Sequence, residues 1–198
     1  VLMDMFHQND ATKGPQSTLG TVASQTYEES VRDLIHDERQ YLRDLHMIIK
    51  VFREEITKLT EDETEIETLF SNIMDIYEVT VTLLGSLEDI MEITEEKQTP
   101  TVGSCFEELA EAAEFDVYRK YARDMNSPAS RETLTRLLSR PAAIAALRAA
   151  GHGFKEAVTF YLPKLLMQPV WHCFLYFEYI KVLQKRTPNK EDSETLEQ

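Results

Sequence analysis

The side chains best able to do chemistry in this sequence are carboxylates, one tryptophan and an adjacent His–Cys pair. They fall into no familiar catalytic pattern, because the chain has no Gly-rich phosphate loop, HExxH, GxSxG or EF-hand loop. His172 and Cys173 are neighbours, which would point their side chains about 100° apart on a helix and suits a shared metal site poorly. We therefore expect no covalent catalysis, no metal site and no organic cofactor.

Glu38 stands out because it is the only charged member of an otherwise apolar seam. The other members step by alternating fours and threes and are Val31, Ile35, Leu42, Leu45, Ile49 and Phe52. One interpretation places Glu38 in an ion pair with a neighbouring helix or at the rim of the seam. The other makes it a surface acid that hydrogen-bonds to a partner where the seam reaches the surface.

Trp171 is the only tryptophan, and it follows Pro169 and Val170 closely. An aromatic residue on a helix is by default a core anchor. If it is exposed, Trp171 becomes a candidate interface residue, since tryptophan is enriched at binding hot spots.

Composition indicates one soluble, globular domain of 198 residues, 42% of them apolar, with a net charge of −14. This charge argues against nucleic-acid binding and against a simple electrostatic membrane anchor. Residues 61–97 carry twelve acids and one lysine, which is most simply a solvated acidic face. Two cysteines, Cys105 and Cys173, make no disulfide framework and favour a reducing cytoplasmic setting. Because the first residue is not Met, we expect a fragment of a longer protein.

Helical spacing dominates the chain after residue 26 and predicts an all-α fold of long helices. Residues 9–26 are predicted to be a linker, and residues 1–8 the tail of a preceding helix. The predicted helices cover 31–52, 66–90, 106–125, a short segment around 134–138, and 154–185. Their lengths favour an elongated bundle. Pro163 and Pro169 are expected to kink or interrupt the last helix.

Four segments resemble the signature segments of Dbl-homology (RhoGEF) domains. They are LIHDERQYLRDL (34–45), LFSNIMDIYE (69–78), VGSCF (102–106) with Phe115, Tyr118 and Tyr121, and LLMQPV (165–170) with Tyr176. Each segment alone is a weak match, and the resemblance rests on finding all four in the family's order along residues 34–176. Residues 1–8, 48–54, 106–111 and 153–158 also resemble one member in particular, a Ras exchange factor whose histone-like segment would end before this domain.

The resemblance implies a guanine nucleotide exchange factor for Rho/Rac-family small GTPases. In that family the first and third signature helices grip the switch regions, displace Mg²⁺ and stabilise the empty GTPase. Glu38 then corresponds to the acid that contacts the first switch, and we expect it to be at least partly exposed near residues 168–176. The predicted GTPase-binding residues are Glu38, Gln168, Trp171, His172 and Leu175. The last family helix is expected to be missing, since the chain stops where it would begin.

Departures from the family pattern support an alternative function. Trp171, His172, Cys173 and Leu175 replace a Gln, Arg, Ile and basic residue, and Asp37 replaces a Thr or Ser. The alternative is an autoinhibitory module that packs on neighbouring pleckstrin-homology and Ras-exchange domains and blocks access of Ras; a third is a plain helical scaffold. We also expect a neighbour to shield Trp171 and Leu175, unless both residues are ordinary core.

Overall fold

The computed structural model describes residues 27–93 and 102–186, so the predicted linker and preceding helix tail lie outside the described residues. Within these ranges the secondary structure is helical and contains no strand, which confirms the predicted all-α class. The α-helices are α1 Tyr27–Met47, α2 Glu63–Phe70, α3 Ile73–Ile93, α4 Gly103–Glu111, α5 Val117–Asn126, α6 Ala129–Leu138, α7 Pro141–Ala149, α8 His152–Glu156 and α9 Leu162–Arg186.

Two π-helical segments extend this framework. The first, Ile48–Arg53, joins α1 to a short helix Glu54–Thr57, and the second, Ala157–Tyr161, joins α8 to α9. The residues at these joins keep right-handed helical backbone angles, so the chain runs on without a turn.

The apolar seam predicted for the first helix is confirmed. Its members Val31, Ile35, Leu45, Ile49 and Phe52 are buried and Glu38 is buried with them, while the remaining member, Leu42, is half-buried. The seam extends past the α-helical part because the π-helical segment buries Ile49 and Phe52 as well.

Two predicted helices are each divided in the structure. The segment 66–90 breaks between α2 and α3 at Ser71, and the segment 106–125 breaks between α4 and α5 at Ala113. Both residues adopt positive φ values, 51° and 55°, which end a helix but usually fall to glycine. Neither residue type signals such a turn, so the sequence pattern overestimated the helix lengths.

Prolines act differently at three positions. Pro141 follows the predicted short helix and begins the next one, since the first turn of a helix needs no N–H from that position. The turn before Pro163 is the π-helical segment, whose widening relieves the collision of a proline ring with the carbonyl four residues earlier. Helix α9 continues through Pro169 without interruption.

The described residues form two compact units. The first comprises 27–40, 81–93, 102–113 and 174–186, and the second comprises 41–80 and 114–173, so α1, α3 and α9 contribute to both. The core of the first unit includes Val31, Leu34, Leu83, Leu87, Val102, Phe106 and Leu183. The core of the second includes Leu45, Phe52, Leu69, Ile76, Tyr121, Leu137, Leu147 and Leu162.

Tyr121 anchors α9 within the second unit. Its side chain is fully buried, and its hydroxyl donates a hydrogen bond to the carbonyl oxygen of Leu166. The turn it holds precedes Pro169, which has no N–H to donate to the carbonyl of Leu165. The hydroxyl therefore binds the carbonyl next to the one that Pro169 leaves without a helical donor.

We predict that Tyr121→Phe lowers the free energy of unfolding by about 1–1.5 kcal/mol, because a buried hydrogen bond to the backbone is lost. The exposed Tyr161→Phe is the matched control and should change stability by less than about 0.5 kcal/mol. Urea unfolding followed by circular dichroism measures both. Equal midpoints for the two variants would contradict a structural role for the Tyr121 hydroxyl.

Candidate functional site

Helices α1 and α9 are joined in the first unit by two carboxylate–phenol hydrogen bonds. The Tyr176 hydroxyl donates to Glu38 Oε2 at 2.9 Å, and the Tyr179 hydroxyl donates to Asp37 Oδ2. Phe106 of α4 meets the Tyr176 ring edge-on, with 6.1 Å between ring centroids. Because burial and the nearby Asp37 raise the pKa of Tyr179, its hydroxyl stays protonated and able to donate.

Glu38 lies against the third signature segment, as predicted, through its contact with Tyr176. Its exposure was predicted wrongly, because the side chain is 0% exposed. The seam pattern already placed Glu38 on the buried face of α1, and the phenol supplies the donor that allows a carboxylate to stay there. In this conformation the carboxylate does not reach the surface.

A second set of contacts joins the same two helices within the second unit. Gln168 Nε2 donates to Asp44 Oδ2 at 2.7 Å, and the rings of Tyr41 and His172 stack with their centroids 3.6 Å apart. The hydroxyls of Tyr41 and Tyr118 share a hydrogen bond of 2.9 Å. Gln168 and His172 are consequently buried, although both were predicted as GTPase-binding residues.

Gln168 has one polar atom that the described residues leave unsatisfied. Its Oε1 is buried and accepts no hydrogen bond within the part of the chain that the structure describes. Such an orphan acceptor costs about 1–3 kcal/mol and calls for an explanation. A donor from a bound partner would supply one.

The last two predicted binding residues differ from these in their exposure. Trp171, in the second unit, is 37% exposed, and Leu175, in the first unit, is half-buried. Neither is ordinary core, so the alternative that both are fully buried does not hold. The idea that a partner covers them stays a prediction.

Few of the residues that fix this site were predicted from the sequence. Tyr179, Asp37 and Asp44 were not singled out as functional, and Tyr176 was noted only as part of a motif. A usable signal exists, since Asp37, Tyr41 and Asp44 repeat at four and three on α1 while Tyr176 and Tyr179 are three apart on α9. Polar residues that recur at helical spacing on both α1 and α9 indicate that hydrogen bonds join the two helices.

Neither cysteine is placed for chemistry. Cys105 is buried and Cys173 half-buried, both are free thiols, and burial raises the pKa of Cys173 to about 12. Within residues 27–93 and 102–186, no group of three His, Cys, Asp or Glu side chains could hold a metal ion. In the same residues, no helix is long and apolar enough to cross a membrane.

The signature segments, the helical fold and the paired α1 and α9 agree with a family assignment. Residues 30–198 match the RhoGEF domain family, and the chain belongs to that family. The resemblance to Dbl-homology domains is thereby confirmed.

Two proteins with similar sequences are Son of sevenless proteins. Over its whole length the chain is 60% identical to "Protein son of sevenless" of Drosophila melanogaster, of which it covers 12%. It is 29% identical to a Son of sevenless homolog of Caenorhabditis elegans, with 96% of this chain and 14% of the relative aligned. The chain thus spans about one eighth of the length of these relatives.

Solved structures share the fold. One is a structure of the Vav1 exchange factor, described for the structural role of its PH and C1 domains. The alignment covers 85% of this chain and 44% of the Vav1 chain, with a TM-score of 0.68 and 21% sequence identity. An activated truncation of Vav1 aligns with 90% of this chain and 45% of its own, at a TM-score of 0.69 and 20% identity. At this identity the likeness establishes the fold alone.

We predict that both thiols react slowly with a disulfide reagent in the folded protein at pH 8. The raised pKa of Cys173 keeps its thiol protonated until the pH approaches 12, and burial restricts access to Cys105. Counting released chromophore should give two fast thiols in guanidinium chloride and none fast in native buffer. A fast native thiol assigned to Cys173 by mass spectrometry would show that its surroundings are open.

Proposed function

We propose that this domain catalyses guanine nucleotide exchange on a Rho/Rac-family small GTPase. In the longer protein it would act within a Ras exchange factor of the Son of sevenless type, in the cytoplasm and recruited to the plasma membrane. Support comes from membership of the RhoGEF family over residues 30–198. The observation that carries the proposal is the hydrogen bonding of α1 to α9 through Glu38 and Tyr176, since these helices bear the first and third signature segments.

The proposed mechanism uses binding energy and no covalent step. Contacts that are stronger to the nucleotide-free GTPase than to its nucleotide complex lower the barrier to GDP release. Glu38 would contact the first switch, while Gln168, Trp171, His172 and Leu175 would bind the GTPase along α9. No cofactor or resident metal takes part in this scheme.

Glu38 can serve this role only if its carboxylate exchanges one donor for another. In the structure the Tyr176 hydroxyl occupies Oε2, so a partner's donor would replace that phenol. The exchange conserves a charge-assisted hydrogen bond, and its cost is therefore small compared with exposing an unpaired buried acid. Tyr176 then acts as a positioning residue. Its hydroxyl holds the Glu38 carboxylate by a hydrogen bond while no GTPase is bound.

We predict that Glu38→Ala and Glu38→Gln each slow nucleotide release tenfold or more on the responsive GTPase, because a lost charge-assisted contact costs about 1.5–3 kcal/mol. Tyr176→Phe keeps the carboxylate but removes its donor, so it should slow release less than either Glu38 variant. Fluorescent-nucleotide release from Rac-, Rho- and Cdc42-like GTPases measures the effect, with a Ras-like GTPase as the negative control.

Two control variants distinguish loss of the proposed contact between Glu38 and the GTPase from an effect of the substitution on folding. Glu29→Ala removes an exposed acid from the same helix and should leave release unchanged. Glu38→Gln retains an acceptor for Tyr176, so a purely structural role would leave this variant fully active. Wild-type release rates in Glu38→Gln, with unchanged circular dichroism, would reject the assigned contact.

A second candidate function, an autoinhibitory module, draws on the exposed apolar residues of α9. Phe174 and Phe177 are 57% and 61% exposed in the first unit, and Trp171 is exposed in the second. Exposed aromatic residues on a folded domain favour cover by another surface. Neighbouring pleckstrin-homology and Ras-exchange domains of the longer protein are the proposed cover, which would block access of Ras and keep Rho-type exchange low.

We predict that Trp171→Gln combined with Leu175→Lys raises exchange on a Rac-like GTPase in a longer protein that extends past Gln198. The substitutions restore the family's polar groups and weaken an apolar cover. Val51→Gln with Met74→Lys, which changes two exposed apolar residues elsewhere, should have no effect. Unchanged exchange in both double variants would count against a covered face.

A further inference from the structure

Charge is distributed unevenly within the second unit. Residues 133–173 contain Glu156 as their only acid, whereas the whole chain carries a net charge of −14. The cations in this stretch are Arg136, Arg140, Arg148, Lys155 and Lys164. This stretch is therefore a basic segment in a strongly acidic protein.

Arg136 donates a hydrogen bond to the Thr133 hydroxyl at 3.2 Å, and three of the other four cations are available to a partner. Arg140 is engaged, with an ion pair of 2.6 Å to Glu65. Arg148, Lys155 and Lys164 are exposed, and no acid among the described residues forms an ion pair with them.

Two exposed aromatic residues lie among these cations. Phe160 is 68% exposed and Tyr161 is 47% exposed, both at the end of the π-helical segment. A π-helical turn holds more residues than an α-helical turn, so a step of five from Lys155 to Phe160 stays on one face. The α-helical step of four from Phe160 then brings Lys164 onto the same face.

We propose that this surface, made of Lys155, Phe160, Tyr161 and Lys164 and supported by the charge of Arg148 on the preceding helix α7, docks on membranes that contain anionic lipids. Basic side chains supply attraction to the negative surface, worth about 1 kcal/mol each. Phe160 and Tyr161 supply the apolar and amphipathic rings that settle at the membrane–water interface. The lysine stems can lie along the apolar layer while the ammonium groups stay at the headgroups.

The composition of the surface favours a lipid surface over a protein partner. Lysine is depleted in protein interfaces, whereas lysine beside exposed aromatic rings is typical of helices that lie on membranes. The surface also offers few groups for reading a specific partner, since the exposed Thr159 hydroxyl already donates to the Lys155 carbonyl. A lipid surface requires only the charge and the rings.

The net charge of the protein determines how this contact would work. A chain of charge −14 is repelled by an anionic surface in most orientations, which was the reason to expect no direct membrane anchor. The basic surface changes that expectation for the orientation in which its own cations meet the lipid headgroups. Binding is then weak and oriented, and it adds to other membrane contacts of a longer protein. This inference does not rest on the proposed exchange activity.

Vesicle sedimentation tests the inference with phosphatidylcholine alone and with phosphatidylcholine containing phosphatidylserine. We expect binding only to the mixed vesicles, weakening as salt is added. Lys155→Glu with Lys164→Glu should lower the partition coefficient at least tenfold, and Phe160→Ser with Tyr161→Ser several-fold. Arg119→Glu with Lys58→Glu reverses the same charge at exposed positions elsewhere and should lower binding less than threefold.

A fluorescence readout separates insertion from headgroup binding. In a Trp171→Phe background, Phe160→Trp becomes the only tryptophan, and its emission should move to shorter wavelength on mixed vesicles but not with soluble glycerophosphoserine. Equal losses in the two charge-reversed variants, an unmoved emission, or no binding at low salt would each overturn the inference. Vesicle-independent capture of the surface by a protein would do so as well.

Discussion

Water surrounds a free carboxylate with donors, and burying Glu38 completely removes all of them. The Tyr176 hydroxyl provides a replacement at 2.9 Å, and Phe106 packs edge-on against the ring that carries it. Three helices of the first unit therefore meet at this one contact. A shift of α9 by one residue would turn its side chains by about 100° and leave the carboxylate without that donor, so the pair fixes the register of α9 against α1.

Much of the fold could be predicted because apolar periodicity reports which face of a helix is buried. The seam of α1 is buried at every predicted position except the half-buried Leu42, and the helical class follows from the same pattern. Helix boundaries were less predictable, since Ser71 and Ala113 take positive φ values without being glycine. A periodic pattern carries no information on a turn that tertiary contacts impose, such as the bond from Ser71 Oγ to Asp124 Oδ2 at 2.6 Å.

The candidate site was predictable in location but not in conformation. Resemblance correctly brought Glu38 beside the third signature segment, but its match to the acid that contacts the first switch suggested an exposure that the structure does not show. Burial of Glu38 depends on Tyr176, a residue 138 positions away in sequence, and the burial of Gln168 on its bond to Asp44. Pairings between distant helices decide whether a polar side chain faces solvent, and one sequence without its relatives does not reveal them.

The wide turn at Ala157–Tyr161 also affects how this region can vary in length. A π-helical turn accommodates one residue more than the α-helical turn it replaces. Loss of one residue there would convert the turn to α-helix and leave every later side chain of α9 on its present face. The same loss after Pro169 would rotate Tyr176 and Tyr179 away from α1. One end of this long helix therefore tolerates a deletion that the other end does not.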